Sequence, residues 1–159
     1  MSISLICGIE ARRTIMYSAN NVANYILCYY NRQDDWISNL KLQKILYFLQ
    51  AEFLVARDAP LFSDPIKAVD WGTMVDNVYH NYKIFGGGSI PILHEEKYPH
   101  YINSEDKPLI DAVLDKLSDY TSTDLLNIIH NQKPWKMAYY CYDGCPISLS
   151  IIKEYFKNE

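Results

Sequence analysis

The sequence has few cysteines and no long apolar run, and these absences exclude several classes of protein. Its four cysteines, Cys7, Cys28, Cys141 and Cys145, form no Cys-x-x-Cys pair, which argues against a disulfide-dense secreted scaffold. No stretch approaches the roughly 18 apolar residues that a membrane span requires. The apolar residues 3–9 are followed, not preceded, by positive charge, which is the wrong order for a secretory signal. We therefore expect a cytoplasmic protein without a membrane segment.

Positive charge is also scarce. The 15 basic and 19 acidic residues give a net charge of -4, and the basic residues are scattered, which argues against a nucleic-acid partner. A zinc site would need Cys141 and Cys145 to be joined by Cys28 or His130, and no second pair with matching spacing supports it. Neither a metal nor a cofactor is expected, and 159 residues are enough for one domain with its own core.

What the sequence does contain is a helix that is apolar on more than one face, at residues 38–53. Ser38 can cap its start, and the residue before Pro60 is pushed out of the helical region. Such a helix must be covered on several sides, so it predicts a central buried helix over residues 40–57. Its apolar positions are Leu40, Leu42, Ile45, Leu46, Tyr47, Phe48, Leu49, Phe53 and Leu54.

The rest of the chain predicts a mainly α fold with a minor β element, in a single compact domain. Apolar spacing and caps predict helices at 18–31 (capped by Ser18), 75–85 (ended by Gly86, Gly87 and Gly88), 104–120 (capped by Ser104), 121 to before Pro134 (with a Thr121–Asp124 capping box) and around 151–156. The β element comprises one extended segment at 66–73, with Val69 and Trp71 on the same side, and a hairpin at 139–147 around Asp143-Gly144. Residues 90–103 are irregular and predict a surface loop.

Four blocks of sequence, in order, resemble the Panacea domain, also called the SocA-like or GepA-type phage-associated domain, over residues 16–156. They are Met16-Tyr17-Ser18-Ala19 with 22–26; 39–48 with Gln50; Pro60-Leu61-Phe62 through Trp71-Gly72 to Val78-Tyr79; and His130, Pro134-Trp135 and Ala138 followed by Ile147-Ser148, Ile152, Tyr155 and Phe156. The chain departs from the family pattern at Thr73 and Met74, where members usually have Pro-Val. Residues 1–15 are an unmatched extension, which places the domain at 16–159.

The resemblance implies an antitoxin-like protein from a bacterial or phage toxin–antitoxin locus. Such proteins are thought to neutralise a cognate toxin by direct binding, and one branch acts as a proteolytic adaptor that presents its toxin to a AAA+ protease. Neither activity requires catalysis, so no catalytic residue is assigned. The family pattern gives a set of candidate binding residues: Lys41, Gln43, Lys44, Gln50, Asp70, Trp71, Tyr79, His130 and Trp135.

Several of these residues also have alternative interpretations. Lys41 and Lys44 can simply keep the exposed side of the central helix soluble, and the polar residues can form either a partner surface or a buried network. An enzyme acting on a nucleotide or a modified protein could use Asp70, His80 or His130 in a pocket near Trp71 and Trp135. A DNA-binding autoregulator is a third alternative. Close-set tyrosines at Tyr139, Tyr140 and Tyr142 fit a protein interface, since tyrosine combines a large apolar area with a polar group. The sequence leaves the oligomeric state open.

Overall fold

The computed structural model describes residues 16–141 and 145–159, which form a mainly helical domain with a small β-hairpin. The predicted fold class is confirmed, whereas the unmatched extension at 1–15 lies outside the described residues. In these two ranges no helix combines the length and the apolar character needed to cross a membrane. The elements are α1 (Ala19–Arg32), α2 (Asn39–Arg57), β1 (Lys67–Val69), β2 (Gly72–Met74), α3 (Asp76–Tyr82), α4 (Lys107–Leu117), α5 (Ser122–His130), α6 (Lys133–Tyr139) and α7 (Leu149–Lys157).

Helix α2 is the centre of the fold. It contacts α1, α3, α4, α5, α7 and β2, and every residue from 42 to 51 is buried. The Ser38 hydroxyl accepts a hydrogen bond from the Lys41 amide at the start of the helix. At its end Asp58 adopts the left-handed conformation with φ of 57° and donates its N–H to the Leu54 carbonyl. The predicted central helix, covered on several sides, is confirmed.

The two helices that flank α2 in sequence also begin or end as the sequence predicts. Ser18 caps α1 by accepting a hydrogen bond from the Asn21 amide at 3.1 Å. Helix α3 continues into a 3-10 turn at Lys83–Phe85 and stops at Gly86, whose φ is +56°. A positive φ is strained for residues with a side chain, so glycine at this position ends the helix readily.

The extended segment predicted at 66–73 is a tight antiparallel hairpin instead. Strands β1 and β2 pair with Val69 opposite Gly72, and the chain reverses direction at Asp70 and Trp71. The prediction that Trp71 shares a face with Val69 is wrong for this reason. Gly72 has φ of +113°, which only glycine adopts easily, and this allows a reversal within two residues.

The segment between α3 and α4 is irregular, as predicted, but it does not simply run over the surface. Ile90, Ile92 and Ile102 are buried, and the Ile90 amide donates to the Ile37 carbonyl at 2.9 Å. A single 3-10 turn at Glu95–Lys97 interrupts the segment. The three isoleucines therefore attach the segment to the core at both of its ends.

Helix α4 begins later than the sequence predicts. Ser104 does not cap it, since the helix starts at Lys107 with Pro108 in its first turn and Asp106 in the cap position. Proline is tolerated there because the first-turn N–H groups have no partner within the helix. The helix also ends at Leu117, three residues before the predicted Tyr120.

The C-terminal helices include one that the sequence analysis missed. The Thr121–Asp124 capping box at the start of α5 is confirmed, with both hydrogen bonds present. Helix α5 ends at His130, before Pro134 as predicted, and Pro134 then lies in the first turn of α6, which was not predicted. The hairpin predicted at 139–147 is wrong at its start, because Tyr139 is the last residue of α6, and its turn at Asp143-Gly144 lies outside the described residues. The final helix α7 is confirmed, with Ser148 as its cap.

The cysteines described by the structure are in two states. Cys141 and Cys145 are joined by a disulfide, so they do not offer the two thiolates that the zinc interpretation requires. Cys28 is a buried free thiol in α1, and Cys7 lies outside the described residues.

Candidate partner-binding surface

Gln43 lies in the core and fixes the strand that leads into α3. Its side-chain oxygen accepts from the Val75 amide at 2.8 Å, and its Nε2 donates to Asn39 Oδ1 at 3.0 Å. Asn39 in turn donates to the Tyr79 carbonyl, and the Thr73 hydroxyl donates to the Gln43 carbonyl. Gln43 is fully buried, so it forms a buried polar network and does not face a partner.

Gln50, seven residues further along α2, has the same kind of role. Its Oε1 accepts from the Leu61 amide at 2.7 Å, and its Nε2 donates to the Phe62 carbonyl at 2.8 Å. The Leu61 carbonyl then accepts from the Tyr17 amide. Gln50 is completely buried and holds the chain that follows α2 against the start of α1.

Lys44 is buried as well, which contradicts the interpretation that it keeps an exposed helix face soluble. It is 1% exposed, and its ammonium donates to the Leu40 carbonyl and the Ser122 hydroxyl. None of the ion pairs among the described residues involves Lys44. Burial lowers the pKa of Lys44 to about 8, because the charged form is poorly solvated there. Lys41, by contrast, is half-buried, with Nζ 5.8 Å from the centroid of the Tyr30 ring.

Trp135 attaches α6 to the hairpin. Its Nε1 donates to the Gly72 carbonyl at 2.6 Å, and its ring is 6% exposed. Two other rings pack on it: Tyr139, nearly parallel at 4.4 Å between centroids, and His130, tilted at 4.3 Å. Helix α6 is thus held at the β1–β2 turn by a buried indole and its hydrogen bond.

Asp70, at the tip of the hairpin, receives hydrogen bonds from two helices. His130 Nε2 lies 2.9 Å from the Asp70 carbonyl oxygen, and because a carbonyl can only accept, this nitrogen carries the hydrogen. The Tyr139 hydroxyl donates to the Asp70 carboxylate, and this bond raises the pKa of Tyr139. The imidazole is therefore oriented by a main-chain carbonyl and not by a carboxylate, unlike the His–Asp pair of a general base.

Trp71, the other turn residue, stacks on α3. Its ring lies 5.2 Å from that of Tyr79 at an angle of 28°, and His80 meets Tyr79 edge-on. Trp71 and Tyr79 are both partly exposed. Tyr140, which follows Tyr139 at the end of α6, is 78% exposed.

These contacts define one continuous patch, which we call the aromatic surface. It consists of Asp70, Trp71, Tyr79, Tyr139 and Tyr140. The structure thus brings five of the nine candidate residues together: Asp70, Trp71 and Tyr79 on the surface, with His130 and Trp135 packed beneath it. The other four, Lys41, Gln43, Lys44 and Gln50, lie on α2 away from this patch or inside the core.

The sequence analysis grouped Tyr139, Tyr140 and Tyr142 as residues that fit a protein interface but did not connect them with Asp70. Tyr142 lies outside the described residues. A usable signal was present, because Tyr139 lies four residues after Trp135 and such residues share one face of a helix. The sequence analysis predicts no helix after Pro134, and therefore does not place Trp135 and Tyr139 on one face. Gly72, whose carbonyl receives the Trp135 hydrogen bond, was also not singled out.

A family model for the antitoxin SocA-like Panacea domain matches residues 42–136. The chain belongs to this family. Eight of the nine candidate residues fall within the matched range, and Lys41 immediately precedes it. Tyr139 and Tyr140 lie beyond its end, so the Panacea match covers only part of the aromatic surface.

Membership of the Panacea family supports an antitoxin-like role and, in general terms, a toxin as partner. Searches of curated proteins and of solved structures gave no match.

Proposed function

We propose that this Panacea protein acts as an antitoxin that binds its cognate toxin directly through the aromatic surface. The observation that carries the proposal is the stack of Trp71 on Tyr79, in which both residues are partly exposed, on the same patch as the exposed Tyr140. Tryptophan and tyrosine are the residues most enriched at the energetic centres of protein interfaces, since they bury a large area with little loss of side-chain entropy.

The surface is held rigidly before any partner arrives. Trp135 donates to the Gly72 carbonyl and Tyr139 donates to the Asp70 carboxylate, and these two bonds hold the turn in place. Rigid aromatic groups bind with less ordering cost than mobile ones. The polar groups at this turn hold one another in place, and that arrangement suits binding without catalysis.

The direct test is co-expression with the toxin encoded beside this gene. The wild-type protein should restore growth, and the two proteins should co-purify. Trp71→Ala and Tyr140→Ala should each weaken the complex by at least about tenfold, the effect of losing an interface residue worth more than 1.4 kcal/mol. Tyr101→Ala is the matched control, because Tyr101 is 73% exposed and is not part of the aromatic surface.

Circular dichroism of each variant separates a lost contact from a lost fold. A toxin complex that tolerates both substitutions equally with Tyr101→Ala would reject this surface. Absence of both rescue and complex would reject the antitoxin function itself.

The proteolytic adaptor is a variant of the same proposal. In that case toxin should be degraded faster when it is co-expressed with this protein than when it is expressed alone. Deleting the gene for the cytoplasmic AAA+ protease that degrades it should restore the toxin level. A toxin half-life that is unchanged while growth is rescued would leave neutralisation by binding alone.

A further inference from the structure

Three side chains with metal-binding atoms meet where the irregular segment crosses α1. They are Cys28 on α1, Glu95 in the 3-10 turn and His100, and one ligand atom from each lies within 4.8 Å of the others. None of these residues belongs to the aromatic surface. We propose that they form a zinc-binding site with Cys28 Sγ, His100 Nε2 and a Glu95 carboxylate oxygen as ligands.

The orientation of His100 is the main argument. Its Nδ1 lies 2.5 Å from the Tyr98 carbonyl oxygen, and because that oxygen can only accept, Nδ1 carries the hydrogen. In the neutral ring this leaves the lone pair of Nε2 on the other side, 3.2 Å from Glu95 Oε1. A lone pair and a carboxylate oxygen repel each other at this distance, and the Arg32 guanidinium, which donates to both oxygens of Glu95, offsets part of that repulsion. A further cation between the two atoms, either a proton or a metal ion, would remove it.

The distance fits a metal ion as well as it fits an N–H···O hydrogen bond from a protonated ring. Zinc binds nitrogen and carboxylate oxygen at about 2.0–2.2 Å, so two such ligands in tetrahedral geometry are about 3.3 Å apart. A metal-bound histidine usually donates its other ring N–H to a carbonyl or carboxylate, as Nδ1 does here, and that bond fixes the ring and its tautomer.

Cys28 supplies the third ligand from the buried side of the site. Its Sγ lies 3.8 Å from the His100 ring at Nδ1, and the residue is completely buried, whereas the side chains of His100 and Glu95 are partly exposed. An ion could therefore enter from the solvent side and keep a water molecule as its fourth ligand. Burial raises the pKa of the Cys28 thiol to about 11, so zinc would have to displace its proton.

Arg32 competes for the same carboxylate. Its guanidinium forms an ion pair with Glu95 at the edge of the site. This cation repels a metal ion and occupies a ligand, so removing it should strengthen zinc binding. A purely structural role for the cluster predicts no zinc binding with or without Arg32, since losing an ion pair does not create affinity for a metal.

The test is titration of the metal-free, reduced full-length protein with zinc chloride in a calorimeter, and with cobalt chloride in a spectrophotometer. Zinc should bind with a stoichiometry of one, and cobalt should give a thiolate charge-transfer band. Cys28→Ser and His100→Ala should each weaken zinc binding at least about tenfold, whereas Arg32→Ala should strengthen it. The control is His94→Ala, which removes an exposed histidine of the same segment.

His100 is partly exposed, so its variant should stay folded even if Cys28→Ser does not. The proposal is overturned if neither the wild type nor Arg32→Ala binds zinc, which would leave a proton between His100 and Glu95. Binding that survives both ligand substitutions but is lost when Cys7, Cys141 and Cys145 are replaced would overturn it too.

Discussion

Three polar side chains of α2 lie in the core, and their burial is compensated to different degrees. Gln43 and Gln50 each have both ends of the amide hydrogen-bonded to the chain around them. Lys44 has two acceptors but no counter-ion among the described residues. A buried charge without an opposite charge costs free energy even when it is hydrogen-bonded. Lys44 is therefore expected to destabilise the isolated domain.

Replacing Lys44 by methionine should stabilise the protein. Methionine keeps a similar length and removes the buried charge, so the free energy of unfolding at pH 7 should rise by about 2 kcal/mol. Urea denaturation measures this change, and Lys41→Met, at a half-buried lysine of the same helix, serves as the control. A variant that is less stable than the wild type would mean that the Lys44 charge stabilises the fold.

The same residue gives a pH dependence of known sign. The pKa of Lys44 is about 8 in the folded protein and 10.5 as the ordinary value. Between these values the unfolded chain binds more protons, so stability contributed through Lys44 rises as the pH increases. The advantage of Lys44→Met over the wild type should therefore shrink from about pH 7 to about pH 9.5, measured as the difference between their unfolding free energies.

At the scale of elements, the contact of α7 with α2 is aromatic. The Phe156 ring lies 5.9 Å from that of Tyr47 and 6.1 Å from that of Phe48, both edge-on. This cluster borders an open cavity of about 180 Å³ that reaches Leu117 and Leu125 on α4 and α5. A short C-terminal helix thus covers one side of the central helix.

Phe156→Ala should weaken this cover. Because the ring is half-buried and an existing cavity would grow, the loss should be about 2 kcal/mol, less than for a fully buried phenylalanine. Calorimetry should show the melting temperature falling by about 4–8 °C, whereas Lys157→Ala, at an exposed position, should leave it nearly unchanged. An unchanged melting temperature for Phe156→Ala would show that α7 contributes little to stability.

For the whole molecule, the position of α2 predicts cooperative unfolding. Helices α1, α4, α5 and α7 all pack on it, and so does β2, so none of them can keep its core contacts once α2 is lost. Far-ultraviolet circular dichroism and tryptophan fluorescence should therefore give the same urea midpoint. Two separate midpoints would show that the hairpin, which carries Trp71, or another part unfolds independently.

Much of this fold could be predicted from local patterns. Ser18, Ser38 and Thr121 were identified as caps because a hydroxyl before an apolar-periodic segment has one obvious hydrogen-bonding role. The errors occurred where two local signals compete. Pro134 follows the end of α5, as predicted, but it also begins α6, and this second helix is held by the packing of Trp135 against the hairpin. Ser104 precedes α4 by three residues, and the helix starts later at Lys107.

The candidate site shows the same division. The family pattern names Gln43 and Trp71 alike, but sequence does not tell which of them faces solvent. Thr73, a departure from the family pattern, is fully buried and cannot contact a partner directly. Burial depends on what other elements cover, which is a property of the assembled chain.

The sequence by itself determined the helical class, the central position of α2 and the family, because apolar periodicity and caps act over a few residues and the family blocks are linear. Only the tertiary structure decided which polar residues are exposed. It joined Asp70 to Tyr139, and Cys28 to Glu95 and His100, across 60 residues or more of chain. Such long-range contacts depend on how the other elements pack on α2, and no local sequence pattern predicts that packing.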